Sequence, residues 1–591
     1  MASSETAVGS IPSTNKYTNR VILKTIFDRE DGGLGYVGQR VVIGGWVRSS
    51  EESKKEDDLQ PVAGSEGVSC VEVILSSFPL IRSIIKVFRG EGHSRIPENT
   101  NSDVVKRPPP SFMILKVSDG SSVNILRVVV DSELAIPSQI MPTGTCILAE
   151  GILQQPASTG KHAVELKVDK VLHLGTVDQI NYPLSKKPLP LTLLRDWTHF
   201  RTRTTTVASV MRIRDAITQA FHTFFQDNDF LYVHMPTITN TSTSGSSKEF
   251  IVTTQPLTNY DNSHDLGLEG LNAAFKKKSK VVEELEKSQN NKETLVAEKQ
   301  KLERIKGLIS RAKAIKKSTF RRSHPKEDEI SLTGSGRLHL ESQACALGKA
   351  YTSGPRFQVQ ESELKKSLPE MLIVETEIAF SKFVDAMNCA DDLLKFICKS
   401  ILENSTQNVK FLSKRVDKSI TERLKFMTSC SLERISYSDA VKVLKQATEN
   451  KFGKAIEWGV PLNDDHTSYL VDEIYKRPII IYDHPKKLKP FNVRLNDDAE
   501  TVAAFDIVLP KVGTVISGSQ SEERLKTLSS RIEEVGLPKQ HYEWYLDLRR
   551  YGTVEHSGFS LMFDSLVLFA TGINNILDVV PFPVIPSKTS A

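Results

Sequence analysis

The sequence predicts an α+β protein in which an N-terminal OB-type β-barrel precedes a larger domain on an antiparallel sheet, with a helical hairpin inserted into that domain. Three observations carry this. Five short β-type runs, VVIGGWV (41–47), FMILKV (112–117), ILRVVV (125–130), TCILAEGIL (145–153) and HAVELKVDKVLHL (162–174), follow one another with Asp119-Gly120 as a turn, which suits a small closed barrel. Beyond residue 331, β-rich runs (MLIVETEIAF, RPIIIYDHP, TVAAFDIVLP) are interrupted by helical segments at 381–449 and 521–535. They lack the strand–helix alternation of a parallel sheet. Between the two regions, residues 269–317 form a charged stretch of two helical segments broken at Gln289-Asn290-Asn291.

Taken in order, residues 1–20 are Ser/Thr-rich and expected to be a disordered tail. Residues 21–180 hold the barrel. The polar SSEESKKEDDLQ and the helix-like FPLIRSIIKVF form an insertion at about 50–110, in a barrel loop where extra length costs little. Pro183, Pro188 and Pro190 mark 181–200 as a hinge, and 201–591 is the second domain. There Val207, Val210, Ile213, Ile217, Phe221 and Phe224 recur at steps of three and four, so one face of a helix is apolar. That face is either core or subunit interface, with equal weight. The helix gives way to LYVHMPTIT, a strand stopped by Pro236.

A chain of 591 residues exceeds what one hydrophobic core organises, which excludes a single small binding module. The composition, 39% apolar and 25% charged, excludes disordered and collagenous classes. No run of about 18 apolar residues spans a bilayer, so no membrane partner is expected. Six scattered cysteines show no zinc-like spacing; a reducing compartment and no structural metal are expected. The first residues carry no apolar leader pattern, and the cytoplasm is the expected location. There is no P-loop and no G-x-G-x-x-G after a strand. Lys and Arg exceed Asp and Glu by only five (77 against 72), but 269–317 alone holds 14 against 7. The rest of the chain is therefore slightly acidic, and the basic hairpin is either a solvated appendage or a phosphate-contacting one. Lys276, Lys277, Lys278 and Lys280 are its candidate contacts.

Four strings, GSGRLHLESQACALGKAYTSGPRF (334–357), NDDAETVAAFDIVLPKVG (496–513), WYLDLRRYGTVEHSGF (544–559) and DVVPFP (578–583), resemble asparaginyl-tRNA synthetase, a class II aminoacyl-tRNA ligase of the aspartyl/asparaginyl subgroup. The resemblance covers the barrel and the C-terminal domain in order, with both inserts outside it. It implies activation of asparagine by ATP with Mg²⁺, then transfer to tRNA. It also implies a dimer, homo- or hetero-, whose class-specific element is the 205–225 helix running into Pro236. The hairpin weakly resembles the WHEP-type helical hairpin, so the resemblance makes tRNA its partner.

Carried over residue by residue, the resemblance implies ATP and Mg²⁺ contacts at Glu370, Asp506, Ser519 and Gly558, with Asp506 and Ser519 as metal ligands. Lys366-Ser367 stands where the family places Arg-His, and Met371 where it places an adenine-stacking aromatic. Other positions depart further. The motif 2 arginine is Gln358 and the arginine ending motif 3 is Ser565. The carboxylate of V-G-E is Thr514, and E-G-x-G reads Ser244-Gly245-Ser246-Ser247. S-G-Q-L reads Ser335-Gly336-Arg337-Leu338, and G-S-Q-R reads Gly518-Ser519-Gln520-Ser521. In the barrel, the stacking position is Ile114 and a Gln position is Arg127. One lost electrostatic donor costs about 10²–10³ in rate, and an arginine on a transferring phosphoryl group about 10³–10⁵. The expectation is an asparagine–tRNA ligase impaired in activation; Lys366 and Arg356 are the candidate replacements. The alternative is a catalytically inactive paralogue that binds tRNA or serves as a dimer partner.

Overall fold

The structure is a computed structural model and describes residues 16–54, 111–156, 163–184, 189–241, 250–252, 263–288, 292–322, 330–359, 368–447 and 456–584. The chain divides into two compact units, Met1–Trp197 and Thr198–Ala591.

In the first unit, β1 (Arg40–Lys54), β2 (Ser111–Ser118), β3 (Leu126–Asp131), β4 (Cys146–Gln154) and β5 (Glu165–Gly175) close a barrel in the order β1-β2-β3-β5-β4. Strict alternation along β2, β3 and β4 puts Met113, Leu115, Val117, Val128 and Ala149 inside, the period-2 pattern expected of a half-buried strand. Closure is by the parallel pair β3–β5. At Gly151 a Cβ would sit 2.0 Å from the Lys167 carbonyl oxygen, so only glycine lets β4 and β5 approach there. Ile114 shares the outward face of β2 with Phe112 and Lys116, and Arg127 pairs with Glu165 at 2.9 Å. One expected boundary moves. β1 continues to Lys54, past the predicted start of the insertion, because it stays paired with β2 as far as Lys54↔Ser111. The predicted tail ends before Val21, which is buried in the barrel and bonds the Val42 carbonyl. The rest of the insertion lies outside the described residues.

The second unit is built on a sheet that, among the described residues, has eight strands in the order β12-β13-β14-β15-β16-β11-β10-β6. They are β6 (Leu231–Tyr232), β10 (Lys349–Phe357), β11 (Glu370–Ala379), β12 (Glu433–Ser436), β13 (Ile479–Pro485), β14 (Thr501–Leu509), β15 (Gly513–Gln520) and β16 (His556–Met562). The five central pairings are antiparallel, as the sequence predicts. Both edge pairs, β6–β10 and β12–β13, are parallel. The short strands β7 (Ile238–Thr239), β8 (Phe250–Ile251) and β9 (Ser331–Leu332) form a separate small sheet.

Helix α1 (Thr205–Asp227) is capped by the Thr204 hydroxyl, which accepts from the Val207 amide. All six residues of its predicted stripe are buried. Phe221 meets Phe563 edge-on and Phe224 packs on Phe396, contacts worth about 1 kcal/mol each beyond burial. The stripe is therefore core, and the interface reading of that face is corrected. The charged hairpin is longer than predicted, with α2 (Ser263–Ser288) and α3 (Lys292–Arg322). Its helices are tied by Lys278–Glu298 and Lys299–Glu286, each at 2.6 Å, while Val282 and Ile309 supply a thin buried seam. The helices α4 (Arg337–Leu347), α5 (Phe383–Asn404), α6 (Glu543–Arg550) and α7 (Phe563–Thr571) complete what the site requires.

Candidate active site

Strand register gathers the polar positions. Glu375 (β11) pairs with Ser560 (β16), Ser560 with Ser517 (β15), and Ser517 with Asp506 (β14). Two residues along, and so on the same face, Glu377, Gly558, Ser519 and Ala504 form a second row. Gly558 is needed for closeness, since a Cβ there would lie 2.1 Å from the Thr376 carbonyl oxygen and 2.3 Å from Glu377 Oε2.

Asp506 accepts a hydrogen bond from Ser517 Oγ at 2.6 Å and lies 2.7 Å from Lys489 Nζ. Burial pushes its carboxyl up, but the Lys489 ammonium and its hydrogen bonds hold it down at about 2. His484 Nε2 stands 3.2 Å away; burial, reinforced by Lys489, pushes that imidazole down to about 4, so it is neutral near pH 7. Asp506, Thr514, Lys489, His484 and Tyr437 wall a cavity of about 150 Å³. Lys489 also borders a second cavity of about 190 Å³, lined by Ser335, Arg337, Asn492, Ser519 and Ser560.

Arg337, the first residue of α4, reaches over this second cavity. Its Nη2 lies 2.9 Å from Glu377 Oε2 and its Nη1 donates to Ser519 Oγ at 3.1 Å. Behind it lies a buried ionic cluster that the sequence reading did not single out. Arg549 Nη2 donates to Glu341 at 3.0 Å, the Tyr545 hydroxyl donates to the same carboxylate, and His556 Nδ1 lies 2.9 Å from Glu377 Oε1. Both glutamates are fully buried, so these partners are what make their charges tolerable. The clue was the string LRRYGTVEHSGF, which carries Arg549 and His556 but gives no sign of their partners.

The predicted residues separate. Asp506, Ser519 and Gly558 come to the same sheet face, yet the hydroxyl on Asp506 is Ser517 and not Ser519, whose own hydroxyl is taken by Arg337. Register sets Ser517 opposite Asp506 and Ser519 opposite Ala504, so the expected Asp506–Ser519 ligand pair is not brought into direct contact. Met371 and Glu370 open β11 beside Arg356 and Phe357, strands away from Asp506. Glu370 is exposed on the other side of the strand from Met371. Gln358 is exposed just past β10, its amide bonded to the Pro369 carbonyl. Arg356 does not replace a lost arginine: it is 1% exposed and bonded to Glu375 Oε2 through Nε (2.9 Å) and Nη2 (2.6 Å). Lys366 and Ser244–Ser247 lie outside the described residues.

The family model for class II tRNA synthetases (D, K and N) matches residues 192–281 and 263–586. A curated relative, asparagine–tRNA ligase, cytoplasmic 2, of Arabidopsis thaliana is 45% identical over 96% of this chain and 95% of its own. The Synechocystis asparagine–tRNA ligase is 36% identical over 81% of this chain and 93% of its own. The chain belongs to the asparaginyl-tRNA synthetases. Among solved structures, Pyrococcus horikoshii asparaginyl-tRNA synthetase complexed with asparaginyl-adenylate shares the fold, with TM-score 0.66 at 20% identity, covering 96% of this chain and 98% of that one. The Entamoeba histolytica asparaginyl-tRNA synthetase gives TM-score 0.60 at 19% identity, covering 80% and 90%.

Membership of the asparaginyl-tRNA synthetases carries the class's general use of ATP, Mg²⁺, an amino acid and tRNA. The residues around Asp506 do not fit a divalent ion. Mg²⁺ takes an octahedron of oxygens, usually one or two protein carboxylates with waters and substrate phosphates, and those carboxylates must be free to face it. Here one carboxylate is already neutralised by an ammonium, Thr514 offers only a hydroxyl, and no cluster of three metal-ligating side chains occurs among the described residues. Nor, among them, is any helix long and apolar enough to cross a membrane.

Proposed function

We propose that this chain performs the asparagine–tRNA ligase reaction, ATP-dependent joining of asparagine to tRNA in the cytoplasm, with its adenylate-forming step impaired. The observation that carries the impairment is the Lys489–Asp506–Ser517 contact beside Thr514: the carboxylate suited to a divalent ion is held by a lysine instead. Gln358 and Ser565 add to it, being neutral where the resemblance calls for arginines. Arg356, committed to Glu375, supplies no substitute. Phosphoryl-group chemistry relies on charge neutralisation by such groups. The ligase reading is supported by the 45% and 36% identical relatives, and the cytoplasmic one by the Arabidopsis relative's name.

The test is single-turnover charging of tRNA-Asn with radiolabelled asparagine at enzyme excess. Charging roughly 10⁴-fold slower than an ordinary ligase is expected; an ordinary rate would overturn the impairment. No charging at all, with tRNA still bound, would favour the second reading, an inactive paralogue acting through tRNA or a dimer partner. That reading draws on the apolar edge around Pro236, where Leu231, Tyr232 and Ile238 are each about half exposed, a surface suited to a second subunit, identical or related. Candidate tRNA contacts are Lys276, Lys277 and Lys280, exposed on one turn of α2. Lys278 is tied to Glu298 and is the weakest of the four.

A further inference from the structure

We infer that Arg337 is the specificity-determining guanidinium of the amino-acid pocket, having exchanged places with the residue at 521. The inference rests on the ligase reading above. Two of the departures in the sequence, Arg337 and Ser521, belong to segments 184 positions apart, yet they meet at one carboxylate. Arg337 Nη2 and Nε contact Glu377 Oε2 at 2.9 and 3.3 Å, and Ser521 Oγ donates to Glu377 Oε1 at 3.4 Å. Ser521 is fully buried, with no room beside it that water reaches. The resemblance implies Gln and Arg at these positions, where this chain has Arg and Ser. What reads in sequence as one intrusive cation and one lost cation is, in space, one cation delivered to the same carboxylate from the other wall.

Arg337 is well placed for recognition. Its guanidinium lines the 190 Å³ cavity, and Glu377 and Ser519 fix the planar fork from two sides. Glu377 is in turn held by His556, which shares the buried cluster of Arg549 and Glu341. A fork anchored in this way offers its outer N–H to a side-chain oxygen of a small amino acid, and its geometry is not reproduced by lysine. A second arginine at 521 would crowd two guanidinium groups onto Glu377. A neutral residue at both positions would leave that buried charge to His556 alone.

The experiment is an exchange series in the full chain: Arg337→Gln, Ser521→Arg, and the double variant, each read by asparagine affinity in calorimetry and by thermal midpoint. Each single variant is expected to lose at least about tenfold in affinity, which is about 1.4 kcal/mol, and to unfold earlier. The double is expected to return to within about threefold of the parent. Losses that multiply in the double would overturn the exchange. Arg337→Lys separates recognition from scaffolding: retained midpoint with at least about tenfold weaker asparagine binding supports the assignment, and unchanged affinity refutes it. If the parent chain binds no asparagine, the ligase reading fails by itself. The exchange is then judged on the midpoints, where a double variant no more stable than the worse single refutes it.

Discussion

At the scale of single residues, the Asp506–Lys489 contact governs the site. Removing one partner of a buried pair leaves a charge without compensation, which costs about 3–5 kcal/mol; Asp506 and Lys489 each keep 17% side-chain exposure, so the lower end applies. Lys489→Gln is expected to lower unfolding free energy in urea by about 3 kcal/mol, and a loss under about 1 kcal/mol would show that the lysine is dispensable to Asp506. Combining Lys489→Gln with Thr514→Glu should create a divalent site, detectable as Mn²⁺ binding that the parent lacks. Asp506 was legible as a candidate only through the family resemblance of the string NDDAETVAAFDIVLPKVG. The sequence could not separate Ser517 from Ser519. Both hydroxyls point to one face, and only the β14–β15 register says which meets Asp506. Arg356 misled for a related reason: its partner Glu375 is 19 residues away, across a strand pair.

At the scale of elements, the site depends on how closely strands approach. Gly518→Ala would set a Cβ 2.3 Å from the Phe505 ring. Overpacking of this kind costs about 1–3 kcal/mol, and the loss should appear as a lower thermal midpoint. The thiols on neighbouring elements report on the same packing. Burial pushes Cys398 and Cys389 up to about 12 and Cys345 up to about 11. With raised values the thiolate fraction at pH 8 is on the order of 10⁻³ or less, so all three should resist alkylation until the chain unfolds. Rapid native-state labelling would contradict the packing. The barrel strands and the α1 stripe were legible because periods of two and of three to four survive in the residues themselves. The role of the stripe was not, since core and interface ask for the same side chains and only Phe563, Phe396 and their neighbours decide.

At the scale of the whole molecule, the net charge of +5 conceals a basic hairpin on a slightly acidic body. If the hairpin contacts phosphates, deleting 263–322 should weaken tRNA binding and flatten its dependence on salt; an unchanged slope would make it a solvated spacer. Among the described residues the fold is that of the asparaginyl-tRNA synthetases, and on the proposed reading charges serving activation have been rearranged or lost within it. Asparagine-dependent ATP–pyrophosphate exchange tests this most directly. Exchange is expected to be detectable only at high concentration of the unmodified chain and to rise at least about 100-fold in the combined Gln358→Arg, Thr514→Glu, Ser565→Arg variant. Exchange at an ordinary ligase rate in the unmodified chain would contradict the proposed impairment.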